Sequence, residues 1–235
     1  DNLPDPSIAD PTAHFNTVTY SGNSSTQAIT GVGHQPDFTW FKARNNAYDH
    51  SLVDSVRGVN KAMASNTTSA ESGFGTNYTI DSFDSDGFTL HSATYNNASG
   101  TNYVAWNWKA GGTASSNTDG TITSSVSANT TAGFSIVSYT GTGSAATVGH
   151  GLSQKPDLVI YKARSQASHN WIVYSSPLGA TKRLKLDLTD AESTSSSQFN
   201  DTEPTSSVVT LGTFNNINQS SETFIAYCFH SVEGY

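Results

Sequence analysis

Phe38-Thr39-Trp40-Phe41-Lys42-Ala43-Arg44 and Leu158-Val159-Ile160-Tyr161-Lys162-Ala163-Arg164 are one stretch written twice. Each copy follows a Pro-Asp step, Pro36-Asp37 and Pro156-Asp157, and each is preceded by a turn signal, Tyr20-Ser21-Gly22 and Tyr139-Thr140-Gly141. The match runs outward at an offset of about 120 residues, too long for a solenoid unit and the size of a small domain. Phe15 matches Phe134, Ala70-Glu71-Ser72 matches Ala191-Glu192-Ser193, and Tyr103–Trp108 matches Phe224–Phe229. The chain therefore reads as a duplication in which each copy holds its own core or half of a shared one.

Within the duplicated stretch, side chains alternate between two faces of a strand. Phe38, Trp40, Lys42 and Arg44 share one face, as do Leu158, Ile160, Lys162 and Arg164. That face begins apolar and ends cationic. Buried cations need partners, so the cationic end belongs at a sheet edge or in a cleft. Other short strands are expected at Phe15–Tyr20, Gln27–Thr30, Ser51–Val56 and Lys182–Leu188. A hairpin is expected where Asp84-Ser85-Asp86-Gly87 separates Ile80–Phe83 from Phe88–Leu90. Tyr103–Trp108 is apolar on both faces and reads as a central strand. No helical period of useful length occurs. The expected fold is all-β, with two tandem jelly-roll-like antiparallel β-sandwiches over 15–112 and 134–235. Residues 1–14, with Pro4, Pro6 and Pro11, read as an extended arm, and 113–133 as a linker holding at most one strand.

Composition narrows the function. Of 235 residues, 13% are charged, 11% are aromatic, and the net charge is −8. The charged share is about half the usual quarter, but recurring aromatics argue against disorder. The only basic cluster is Lys182, Arg183 and Lys185, with Asp187 and Asp190 close by, so neither nucleic acid nor an anionic membrane surface is an expected partner. Cys228 is a lone cysteine in an apolar run and reads as a small buried hydrophobe. No run approaches the roughly 18 apolar residues of a membrane span. The opening Asp1-Asn2-Leu3-Pro4-Asp5-Pro6 reads as linker from a longer or processed polypeptide.

Several strings carry a resemblance: Gly31-Val32-Gly33-His34-Gln35-Pro36-Asp37-Phe38, Asp54-Ser55-Val56-Arg57-Gly58, Ser82-Phe83-Asp84-Ser85-Asp86-Gly87-Phe88 and Tyr103-Val104-Ala105-Trp106-Asn107-Trp108-Lys109-Ala110-Gly111-Gly112. Together with Asn2–Pro6 and Gly133–Gly141 they resemble an uncharacterised domain of large virion proteins in marine tailed bacteriophages. There it often follows a SPRY-like β-sandwich and occurs near tail or fibre components. The resemblance implies a virion location outside the cell and a part in host attachment. It implies no catalytic motif.

Candidate sites follow from residue type. Trp40, Trp106, Trp108 and Trp171 could stack on the apolar face of a pyranose. Trp106 and Trp108 share a central strand, which favours core for at least one, whereas Trp171 follows polar Ser168-His169-Asn170 and is the best exposed candidate. Lys42/Arg44 and Lys162/Arg164 could fork onto anionic sugars or pair internally with Asp37, Asp54 or Asp157. Asp81, Asp84 and Asp86 have spacing that could hold calcium through a turn; the alternative is a plain Asp-Gly hairpin. His50, Ser51 and Asp54 supply triad letters, but a triad is made by geometry, not adjacency. Glu71 and Glu192 could be glycosidase acids, though each copy has one, in a Ser/Thr-rich stretch that reads as surface loop.

The expectation is a non-enzymatic phage tail or fibre module that adheres to host-surface glycan, without a required cofactor. Its other partners would be virion proteins and further copies of the full-length chain. Two alternatives stand beside it, a structural spacer or decoration module and a glycan depolymerase.

Overall fold

The computed structural model describes residues 6–71, 80–92, 94–233 and 235. The first half carries β1 (Phe15–Ser21), β2 (Gln27–Thr30), β3 (Phe38–Ala43), β4 (Ser51–Asp54), β5 (Ile80–Asp84), β6 (Gly87–Leu90), the one-turn helix α1 (Thr94–Asn97) and β7 (Asn102–Trp108). The remainder carries β8 (Ser115–Asn117), β9 (Ser124–Asn129), β10 (Phe134–Thr140), β11 (Ala146–Gly149), β12 (Leu158–Ala163), β13 (Ile172–Ser175), β14 (Lys182–Lys185), β15 (Ser193–Thr194), β16 (Val208–Leu211), α2 (Asn215–Asn218) and β17 (Thr223–Phe229). The fold is all-β and every pairing between these strands is antiparallel, with one isolated parallel bridge between Ile122 and Val148.

Among the described residues the strands form the sheets β1-β7-β3-β4, β2-β6-β5, the eight-stranded β15-β14-β13-β12-β17-β10-β9-β8, and the pair β11-β16. Read through the repeat, β1-β7-β3-β4 and β10-β17-β12-β13 are the same order. The wiring repeats as well. Tyr20 stacks on Tyr103 at 5.2 Å, and Tyr139 on Phe224 at 5.3 Å. The Tyr20 hydroxyl donates to Asn96 O and the Tyr139 hydroxyl to Ile217 O. Asp37 accepts from Ser55 Oγ and from the amides of Ala110 and Gly112; Asp157 accepts from Ser176 Oγ and from the amide and hydroxyl of Ser231. A carboxylate that collects several donors ties a strand start to its neighbours, which explains the Pro-Asp step before each copy.

The two faces of the duplicated strand meet different cores. Phe41 packs with Val53, Phe88 and Leu90 between the first half's two sheets. Val159, Tyr161 and Ala163 do the same in the second half with Tyr139, Val209 and Phe224. The opposite face, Phe38 and Trp40 in one copy and Ile160 in the other, belongs to a third cluster with Phe134, Trp171, Ile225 and Tyr227. The two larger sheets therefore pack face to face, and Phe38 stacks on Tyr227 at 4.4 Å across the junction.

Three expectations are corrected. Residues 113–133 are not a linker with one strand, since β8 and β9 extend the eight-stranded sheet there. The arm is not free: Ile8 is buried, Ser7 N–H donates to Glu233 O, and Pro11–Ala13 form a 3-10 turn capped by Asp10. The strand expected over Lys182–Leu188 ends at Lys185, leaving Leu186 and Leu188 at 39% and 45% exposure. The Ser/Thr-rich stretch around Glu71, expected as a surface loop, lies partly outside the described residues.

Candidate functional site

The sequence-derived site residues do not converge on one surface. Trp171, taken as the exposed sugar platform, is 0% exposed. Its ring fills the junction and its Nε1 donates to Ala64 O at 2.9 Å. The polarity of Ser168-His169-Asn170 describes the loop and not the ring that follows it. His169 stays half-buried in that loop, where its Nε2 lies 3.1 Å from Gln219 Oε1. Lys162 is buried, and its Nζ donates to Thr68 O at 3.3 Å and His169 O at 2.9 Å. Burial pulls its pKa down to about 8, with Asp187 opposing the shift. Lys42 donates to Tyr48 O at 2.7 Å. Arg44 is exposed, with no side-chain hydrogen bond or ion pair among the described residues.

Arg164 reaches across the junction to Glu71, with Nε to Oε1 at 3.2 Å and Nη2 to Oε2 at 3.1 Å. Glu71, expected in a surface loop, is therefore a partly buried bridge between the halves. It also accepts from Arg57 Nη1 at 3.2 Å. Arg57, which follows the strand expected over Ser51–Val56, is the centre of this network. Its Nε meets Asp54 Oδ2 at 2.5 Å, Nη1 also reaches Lys61 O, and Nη2 reaches Leu52 O and Tyr227 Oη. The Tyr227 hydroxyl donates to the same Asp54 oxygen at 2.7 Å. All five donors of the guanidinium are thus used. Burial alone would weaken its charge, but Asp54, Tyr227 and Glu71 outweigh that and raise its pKa above the ordinary arginine value.

The aspartates of the hairpin are each engaged separately. Asp84 accepts from Ser82 and Thr89 hydroxyls, Asp81 lies 2.9 Å from His91 Nδ1, and Asp86 accepts from the amides of Gly31 and Gly33. Both glycines have positive φ, 87° and 84°, which lets their N–H groups converge on one carboxylate. Those two bonds hold the Asp86 carboxyl below its usual range. Among the described residues no three His, Cys, Asp or Glu side chains gather as metal ligands. His50, Ser51 and Asp54 do not form a triad: His50 accepts from Trp40 Nε1, Ser51 from Asn96 Nδ2, and Asp54 holds Arg57. Glu192 pairs with Lys182.

An aromatic cleft of about 500 Å³ lies open between the two halves. Its floor and walls are strand ends from both halves: Phe15 at the start of β1, Trp108 at the end of β7, Phe134 at the start of β10 and Phe229 at the end of β17, with Tyr235 at the rim. Phe15 and Trp108 lie 4.8 Å apart, and the repeat-equivalent pair Phe134 and Phe229 4.9 Å apart. Trp108 joins the pairs, at 6.3 Å from Phe134 and 6.4 Å from Phe229. Of the sequence-derived candidates only Trp108 lines this cleft. The matches Phe15 to Phe134 and Trp108 to Phe229 were the signal for the other rings. Among the described lining residues there is no Asp, Glu, Lys or Arg. A neighbouring hollow of about 570 Å³ beside Lys109 and Gln35 is polar: Asp37 is engaged as above and His34 Nδ1 donates to Thr12 O at 2.9 Å, while the buried His34 Nε2 has no hydrogen-bond partner among the described residues.

Stacked antiparallel sheets with an aromatic cleft at their strand ends define a β-sandwich protein with a preformed apolar groove. The chain belongs to the family described as a domain of unknown function (DUF7483), which matches residues 10–235. No curated protein and no solved structure matches the chain.

Proposed function

We propose that this chain is a non-enzymatic adhesion module of a bacteriophage virion, carried outside the cell in a tail or fibre, and that it binds host-surface glycan in the aromatic cleft. The observation that carries the reading is the meeting of three half-buried rings, Phe15, Trp108 and Phe229, over the buried Phe134 at one end of the sheets, with Tyr235 exposed at 42%. Aromatic faces suit the C–H face of a pyranose. A lining without Asp, Glu, Lys or Arg among its described residues favours a neutral sugar over the anionic one suggested by the duplicated cations, because those cations lie elsewhere. Weak single sites multiplied along a fibre gain avidity without new contacts. A spacer or decoration role is the second reading, favoured by exposed Leu186 and Leu188 beside β14.

The test is binding of labelled protein, monomeric and multimerised, to bacteria and to extracted neutral and acidic surface polysaccharides, with intrinsic tryptophan fluorescence as readout. Tyr235→Ala, at an exposed rim position, should weaken neutral-glycan binding roughly tenfold with unchanged folding. Absence of saturable binding by the multimer across several hosts would leave the spacer reading. Shortening of the polymer would point to a depolymerase. Retained binding after chelation would remove Asp81, Asp84 and Asp86 as a calcium requirement.

A further inference from the structure

We propose that the free edge of β1 pairs with β1 of a second copy of this chain. Among the described residues β1 has one strand neighbour, β7. His14 O accepts from Lys109 N at 2.8 Å and Gly22 N donates to Thr101 O at 2.8 Å, which bracket the β1–β7 register. Even-numbered residues between them therefore turn their main-chain groups to β7, and Phe15, Thr17, Thr19 and Ser21 turn theirs outward. Thr17 N–H is held by Asn16 Oδ1 and Ser21 O by Gln27 Nε2, local side-chain caps that an incoming strand displaces. Thr17, Thr19 and Ser21 are exposed. The strand contains no charge and no proline, the usual means of blocking an edge.

The duplicate shows what covers this edge. β10 is the counterpart of β1, and it carries β9 antiparallel from Phe134 opposite Asn129 to Ser138 opposite Ser125. β9 is an uncharged, serine-rich strand, similar in character to β1. The first half does not provide this strand from the residues just before β1, because these form the 3-10 turn at Pro11–Ala13 and Ile8 is buried elsewhere. A second copy fits by self-complementarity. A two-fold axis at Val18 sets Thr17 of one copy opposite Thr19 of the other and Phe15 opposite Ser21, all with outward main-chain groups. Threonine pairs across a ladder are favourable and no like charges meet. The two four-stranded sheets would join as one eight-stranded sheet, the width already reached in the second half.

Sedimentation of the whole chain should give a concentration-dependent dimer. Thr17→Lys/Thr19→Lys places like charges directly opposite across the axis while leaving each monomer's solvent face polar, and should shift the dimer constant at least tenfold with unchanged circular dichroism. The register is read by mixing Thr17→Cys and Thr19→Cys proteins under oxidation. Directly opposite residues lie near 5.5 Å between Cα atoms, within disulfide range, so the mixture should crosslink faster than either variant alone. Cys228 is buried and does not compete. A wild-type monomer up to about millimolar concentration overturns the proposal. So does a dimer unaffected by the double lysine change, or crosslinking with no preference for the mixture.

Discussion

Lys42-Ala43-Arg44 and Lys162-Ala163-Arg164 are identical in sequence and occupy equivalent strand ends, yet their surroundings differ. In the first half, Lys42 caps a neighbouring turn and Arg44 lies in solvent. In the second, Lys162 is sealed beneath the segment around Thr68, and Arg164 grips Glu71 of the other half. The asymmetry arises because the segment carrying Thr68 and Glu71 lies over the second copy's strand end. Identical local sequence thus sets the strand and its faces, while the partner laid against a face decides whether a cation is structural or free.

Removing the bridge should have the largest effect. Arg57→Ala strands the buried Asp54 carboxylate and should cost about 3–5 kcal/mol in urea denaturation; a change below about 1 kcal/mol would mean the halves do not depend on this ion. Next comes the buried amine. The folded pKa of Lys162 near 8 lies below its unfolded value near 10.4, so between those pH values the unfolded chain binds more protons and stability rises with pH. The penalty is fully present below pH 8, is of order 3 kcal/mol, and should be lost in Lys162→Met, whose profile over that window should be flatter. A wild-type profile that falls across the same window, with no difference in the variant, would sink the assignment. The smallest contrast is the sharpest test of the comparison. Arg164→Ala should cost about 1–2 kcal/mol, for a charge-assisted pair that is partly exposed, and Arg44→Ala should stay within about 0.5 kcal/mol. Equal costs would erase the difference drawn between the two copies.

Much of the strand layout was legible in sequence because it depends on local periodicity. The alternation in the duplicated stretch, the Asp84–Gly87 hairpin and the central position of Tyr103–Trp108 all follow from side-chain period and turn chemistry. The junction was not legible, because an amphipathic strand does not state whether its second face meets water or another sheet. Trp171 and Glu71 were misplaced, and Arg57 was passed over, for that one reason: each is completed by groups distant in the chain. The cleft was half legible. Its rings recur in the repeat matches, but only the packing of the halves brings them together.

The bond from Arg57 to Tyr227 spans 170 residues, and that span has a meaning in time. At about 5–20 residues per second of synthesis, the first half waits on the order of ten seconds after Trp108 is made before Tyr227 exists. During that wait Phe38, Trp108 and the buried ion pair of Arg57 and Asp54 lack their cover. The young chain must hold an aromatic sheet face in water until its own second half arrives, so its solubility during synthesis depends on the uncharged Ser, Thr and Asn that fill the rest of its surface.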